Sequence, residues 1–135
     1  MRIVLDTNVL LMSLPVRSRY RPIFDALIKG EFELAISNEI ISEYIEIIER
    51  KTNQTIAHNV IELLLSLENV QKVEIFFKWG LIKVDYDDNK FVDCAISFDA
   101  KYIVTNDKHF NVLKNIDFPK VNIISVDDFW KEIVK

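Results

Sequence analysis

The run RIVL at residues 2–5 stops at Asp6-Thr7-Asn8, and the run YIVT at residues 102–105 stops at Asn106-Asp107. Two short β-branched segments ending in the same acidic chemistry restrict the fold more than any other feature of the chain. Around them, strand-like runs alternate with longer helical patterns. RPIFDALIKG follows the first strand, FELAIS reads as a second, and helical periodicity covers residues 38–50, 54–67 and 70–79. LIKV at 81–84 then reads as a strand, 89–98 as a helix, and YIVT and VNIISV as the last strands before the helical VDDFWKEIVK. Such alternation builds βαβ units. Apolar strands flanked by helices predict a mostly parallel sheet covered on both faces, a three-layer α/β/α sandwich. Pro22 near the start of its helix and Gly30 just past the end follow the usual asymmetry of helix termini.

Composition narrows the functional classes. A chain of 135 residues that is half hydrophobic suits one domain over 1–135 with one core, and two glycines and three prolines mark no linker. Seventeen basic against 21 acidic residues leave a net charge of −4, which argues against wrapping nucleic acid through bulk charge but not against local basic patches. Cys94 can form no intramolecular disulfide and reads as a small buried hydrophobe in a reducing compartment. His58 and His109 lack zinc-ligand spacing. No basic-then-apolar leader precedes Asp6, and no apolar run reaches membrane-spanning length, so a soluble cytoplasmic protein with no membrane partner is expected.

In an open parallel sheet, ligands bind beyond the carboxyl ends of the strands, which places Asp6 and Asp107 on one edge. Each could instead merely cap the next helix or turn. DYDDNKFVDCAISF adds further carboxylates. Phe91, Val92, Ala95 and Phe98 define an apolar face from which Asp93 points away, whereas Asp88 lies on their side at the helix start, and Asp87 or Asp88 could be the N-cap. In NEIISEYIEIIER the isoleucines and Tyr44 form the buried side. The glutamates form a solvated stripe, with Glu43 and Glu49 nearest its edges, and periodicity does not choose between them. PVRSRYRP sets Arg17, Arg19 and Arg21 around Tyr20, either an RNA-backbone clamp or a solvated loop.

IVLDTNVLL, ISNEIISEYIEII and DDNKFVDCAISFDAKYIVTNDKHF, in this order and spacing, resemble the PIN domain. This is the ribonuclease fold found in the VapC-like toxin halves of many bacterial and archaeal toxin-antitoxin pairs. The resemblance implies a catalytic and metal-binding set of Asp6, Glu43, Asp88 and Asp107, with Asn8 and Thr105 as polar neighbours. It selects Glu43, and counting along the helix favours Asp88 over Asp87. It also implies one or two Mg²⁺ or Mn²⁺ ions, RNA hydrolysis leaving 5′-phosphate and 3′-hydroxyl ends, a homodimer, and an antitoxin whose acidic tail could sit on the arginine loop. The physical chemistry agrees, since converging carboxylates repel one another and an oxygen-rich cage suits Mg²⁺ or Mn²⁺.

Other classes fit less well. A receiver-type phosphoacceptor needs an aspartate at the end of a central strand, and none occurs between Asp25 and Asp85. A dinucleotide-binding turn cannot be built from two glycines. The alternative that stands is a non-catalytic PIN-like module that binds RNA or protein.

Overall fold

The computed structural model describes residues 1–134. Along the chain come β1 (Arg2–Leu5), α1 (Thr7–Ser13), α2 (Arg21–Ile28), β2 (Glu33–Ile36), α3 (Asn38–Lys51), α4 (Gln54–Ser66) and β3 (Val70–Lys72). They are followed by α5 (Asn89–Phe98), β4 (Tyr102–Val104), β5 (Ile123–Ile124) and α6 (Val126–Ile133), with 3₁₀ turns at Tyr86–Asp88 and Lys108–Asn115. The five strands form one sheet in the order β3-β2-β1-β4-β5, and every pairing is parallel.

This order sets the position of the site. The chain runs outward from β1 through β2 to β3, then returns to lay β4 against the other side of β1. Because parallel crossovers are right-handed as a rule, these two opposite directions are expected to put their helices on opposite faces. Ile3, Val4, Leu34, Ala35, Ile36, Ile103 and Val104 are fully buried, as strands covered on both sides must be. α5 packs across β1, β2 and β4. In open parallel sheets such a reversal, here between β1 and β4, marks the carboxyl ends where ligands bind.

Local chemistry fixes the helices. Ser37 and Asn53 cap α3 and α4, accepting from the Ile40 and Ile56 backbone N–H groups. Pro22 occupies the first turn of α2, and Gly30 behind it has φ of +77°, a conformation that favours glycine. Tyr44 is fully buried, and its hydroxyl donates to the Leu5 carbonyl at 2.6 Å, tying α3 to the end of β1. Among the described residues no helix is long and apolar enough to cross a membrane.

The middle of the chain departs from its periodicity. Residues 70–79 are not helical, since Val70–Lys72 pairs as β3 with Leu34–Ile36, and the chain from 73 to 85 is irregular. A helix there would have left the edge of β2 unpaired, and Val70, Val73, Ile75, Phe76 and Phe77 are weak helix formers. Nor is LIKV a strand. The Asn89 amide instead accepts from the Ile82 N–H and donates to the Ile82 carbonyl, both at 2.8 Å, and so takes the place of a neighbouring strand. VNIISV pairs only at Ile123–Ile124, and the apolar run after Asp6 forms α1, too short for its periodicity to stand out.

Candidate active site

Asp6 directly follows β1, and its backbone carbonyl accepts the first bonds of α1 from Val9 and Leu10. Its carboxylate makes no cap bond. It accepts instead from the Thr105 hydroxyl at 2.7 Å, and the same hydroxyl accepts from the Asp107 N–H at 3.0 Å, so Thr105 clamps the ends of β1 and β4 together. Asp6 is buried, and burial lifts its pKa above the ordinary range. The Thr105 hydroxyl and the Thr7 N–H oppose that rise, while the charges of Asp107 and Glu43 add to it.

Asp107 does cap a turn, since its Oδ1 accepts from the His109 N–H at 2.9 Å. Among the described residues its Oδ2 accepts no hydrogen bond. Asp88 stands at the start of α5 without capping it. Its Oδ2 lies 3.3 Å from His109 Nδ1, and its side chain is only 15% exposed. Its pKa is pushed up to about 6, first by burial and then by the charge of Asp107, with Asp85 and Asp6 adding to the rise and the His109 hydrogen bond opposing it. Asp87 faces solvent and lies 3.5 Å from Lys90.

Glu43 is held differently. Because Tyr44 pins α3 to the end of β1, Glu43 lies beside α1 and accepts from the Thr7 hydroxyl through Oε2. Its Oε1 accepts from Lys90 Nζ at 2.6 Å. Lys90 is 10% exposed. Burial alone would lower its pKa, but the Glu43 hydrogen bond and charge, with Asp87, raise it. Glu43 is therefore neutralised by a cation of its own, whereas Asp6, Asp88 and Asp107 share excess negative charge. Glu49 is exposed on the other edge of α3.

Asn8 is exposed and makes no hydrogen bond to Asp6 among the described residues. Its place beside the acids is taken by Thr7, the buried residue one position earlier. Arg19 reaches Asp127 at 3.4 Å and lies over the Tyr20 and Trp130 rings. Arg21 bonds Asp25 at 2.9 Å and the Leu14 carbonyl at 2.5 Å, so it anchors the loop to α2. Arg17 is exposed, with no ion pair among the described residues.

Three features escaped the sequence reading. His109 sits between Asp88 and Asp107, 3.6 Å from the latter. Its only sequence signal was its place two residues past Asp107. With Asp85 and Asp88, His109 forms a group whose ligand atoms lie within 4.8 Å of one another, a candidate metal-binding group. Lys90 carried no signal, because its partner is 47 residues away. Asp93 was expected to point outward, and it does leave the apolar face of α5, but the 73–85 segment covers it. It is buried and accepts from the Trp79 N–H at 3.0 Å. His58 is exposed and lies 3.1 Å from Glu62 on α4.

This donor set fits an oxygen-preferring divalent cation. Burial first, and then the charges of Asp107, Asp85 and Asp6, push the Asp88 carboxyl up to about 6, and the nearby Lys90 ammonium is committed to Glu43.

The comparisons with known proteins agree with this architecture. No curated protein matches the chain. Among solved structures, VapBC2 from Rickettsia felis, bound to a DNA fragment from its promoter, superposes with a TM-score of 0.65 at 18% identity, covering 93% of this chain and 98% of the other. VapBC-1 from nontypeable Haemophilus influenzae gives 0.64 at 18% identity, covering 94% and 99%. The PIN domain endonuclease Utp24 gives 0.52 at 18% identity, covering 92% and 84%. At this identity the likeness is one of fold. The sequence itself matches the PIN domain over residues 2–109, and the chain belongs to the PIN domain family.

Proposed function

We propose that the protein is a metal-dependent endoribonuclease acting on cytoplasmic RNA as the toxin component of a toxin-antitoxin pair. The observation that carries this reading is the uncompensated negative charge shared by Asp6, Asp88 and Asp107 where the sheet order reverses. Mg²⁺ or Mn²⁺, as one or two ions, would be held by Asp6, Asp88 and Asp107. Glu43 would join them only by exchanging Lys90 for the ion. When bound, such a cation supplies Lewis acidity, acidifying a water and stabilising negative charge on the scissile phosphate.

The chain's own residues do the rest. Thr105 fixes the orientation of the Asp6 carboxylate, and Tyr44 and Thr7 fix Glu43. An Asp88 oxygen that the ion leaves free would accept the proton of an attacking water as the P–O bond to the leaving oxygen breaks. His109, 3.3 Å from Asp88, would return a proton to that oxygen.

The partner assignment rests on three of the solved relatives, which are VapBC assemblies. That likeness supports a VapB-like antitoxin, and the homodimer is proposed on the family resemblance alone. Expression of the wild type beside Asp6→Asn in a bacterial host, with sequencing of RNA ends, tests the proposal. Growth arrest with new 5′ ends in the wild type alone is expected. Identical RNA ends in both strains would refute nuclease action, and cleavage persisting in excess EDTA would refute the metal.

A further inference from the structure

The irregular segment 73–85 carries aromatic rings that the acid site does not use. Phe76 is 89% exposed, Phe77 63%, and Phe118, from the β4–β5 connection, 83%. These rings are organised around Trp79. Phe77 meets it edge-on with centroids 4.6 Å apart, and Phe118 meets it edge-on at 6.3 Å. The backbone beneath is pinned to α5 through Asp93 to Trp79 and Asn89 to Ile82. Hydrophobic rings thus stand in water on a fixed support, an arrangement that costs free energy unless something covers it.

We propose that Phe76, Phe77, Trp79 and Phe118 form a stacking platform for the bases of single-stranded RNA. The proposal rests on the nuclease reading for its substrate and adds the place where that substrate is held. The local charge favours nucleic acid over a protein partner. In an otherwise acidic chain, Lys72, Lys78 and Lys83 stand among the rings with Glu74 as the one acid of that stretch, Lys78 being paired with Glu39 at 3.6 Å, and Lys114 and Lys120 flank Phe118 against Asp117. A protein of net charge −4 cannot hold RNA by bulk attraction, so stacking must supply part of the binding. The Tyr86 ring lies against Gly80, and the cleft beside them carries Lys78 and Lys90 together with Glu39 and Asp93. Flat faces read any base, so the platform gives affinity with little sequence preference.

The test uses the full chain carrying Asp6→Asn in Mg²⁺, with a labelled oligouridine and an RNA duplex of equal length as probes. Replacing Phe77 and Phe118 by Ala should weaken oligouridine binding by about 10- to 100-fold, leaving the salt slope, the duplex affinity and the melting temperature unchanged. Phe77→Trp should keep binding intact. Unchanged oligouridine affinity in the double Ala variant overturns the platform. If light scattering then shows a dimer lost, the rings belong to a protein interface. Cleavage by the chain with Asp6 intact separates the two readings. Cleavage whose KM ignores the rings sinks the platform alone, whereas ring-dependent binding without cleavage sinks the nuclease alone.

Discussion

Replacing Asp88 by Asn should make the metal-free protein more stable. The native pKa of this carboxyl is about 6 against an ordinary value of 3.8, so between those values the native state binds more protons than the unfolded chain. Stability therefore falls as pH rises through about 4 to 6, and the loss is complete above that window. A shift of about two units corresponds to about 3 kcal/mol at full strength. The side chain is 15% exposed at an open edge, so solvent and salt screening reduce the penalty to about 1–2 kcal/mol. The amide in Asp88→Asn removes the charge and can still accept from His109. For a domain of this size the gain should appear as a rise in Tm of about 3–8 °C. Thermal melts by circular dichroism, in EDTA and moderate salt, would compare the two proteins at pH 7.5 and pH 4.5. The variant should melt higher at pH 7.5, with most of the difference gone at pH 4.5. A variant that melts at or below wild type at pH 7.5, or a gain independent of pH, would refute the account of a carboxyl strained by burial and like charge.

Saturating Mg²⁺ or Mn²⁺ should reverse that order, since an ion at about 100 times its dissociation constant adds about 2.7 kcal/mol to wild type; equal metal-induced shifts in wild type and Asp6→Asn would place the ion elsewhere. Lys90→Met leaves Glu43 half-buried without its cation and should cost about 2 kcal/mol in urea unfolding, most of it recovered when Glu43→Gln is added. Additive losses would mean the pair is not coupled. Asp93→Asn keeps an acceptor for the Trp79 N–H and should stay near wild type, whereas Asp93→Leu should lose about 1–3 kcal/mol and loosen the 73–85 segment in hydrogen exchange. Of the loop arginines, Arg17→Gln should flatten the salt dependence of RNA affinity by about 0.7 if it contacts a phosphate, while Arg21→Gln should lower stability instead, because Arg21 ties the loop to α2. An unchanged slope in Arg17→Gln would remove that residue from the RNA path.

Much of the fold was written in local pattern. RIVL, FELAIS and YIVT are buried parallel strands because their apolar runs need cover on both faces, and the helices between them begin where Ser37 and Asn53 offer caps. Strand ends carrying Asp6 and Asp107 could be assigned to one edge without coordinates, since parallel strands present their carboxyl ends together. The segment from Val70 to Val84 could not be read this way. Its structure depends on the open edge of β2 and on the Asn89 amide, partners that periodicity does not record. The same holds inside the site. Sequence supplied the carboxylates, but only the tertiary structure decided their partners and burial, by setting Lys90 on Glu43, His109 between Asp88 and Asp107, and the 73–85 segment over Asp93. Burial and through-space charge act over a few ångströms, and the residues that meet at that range are 47 positions apart for Lys90 and Glu43 and 99 apart for Thr105 and Asp6.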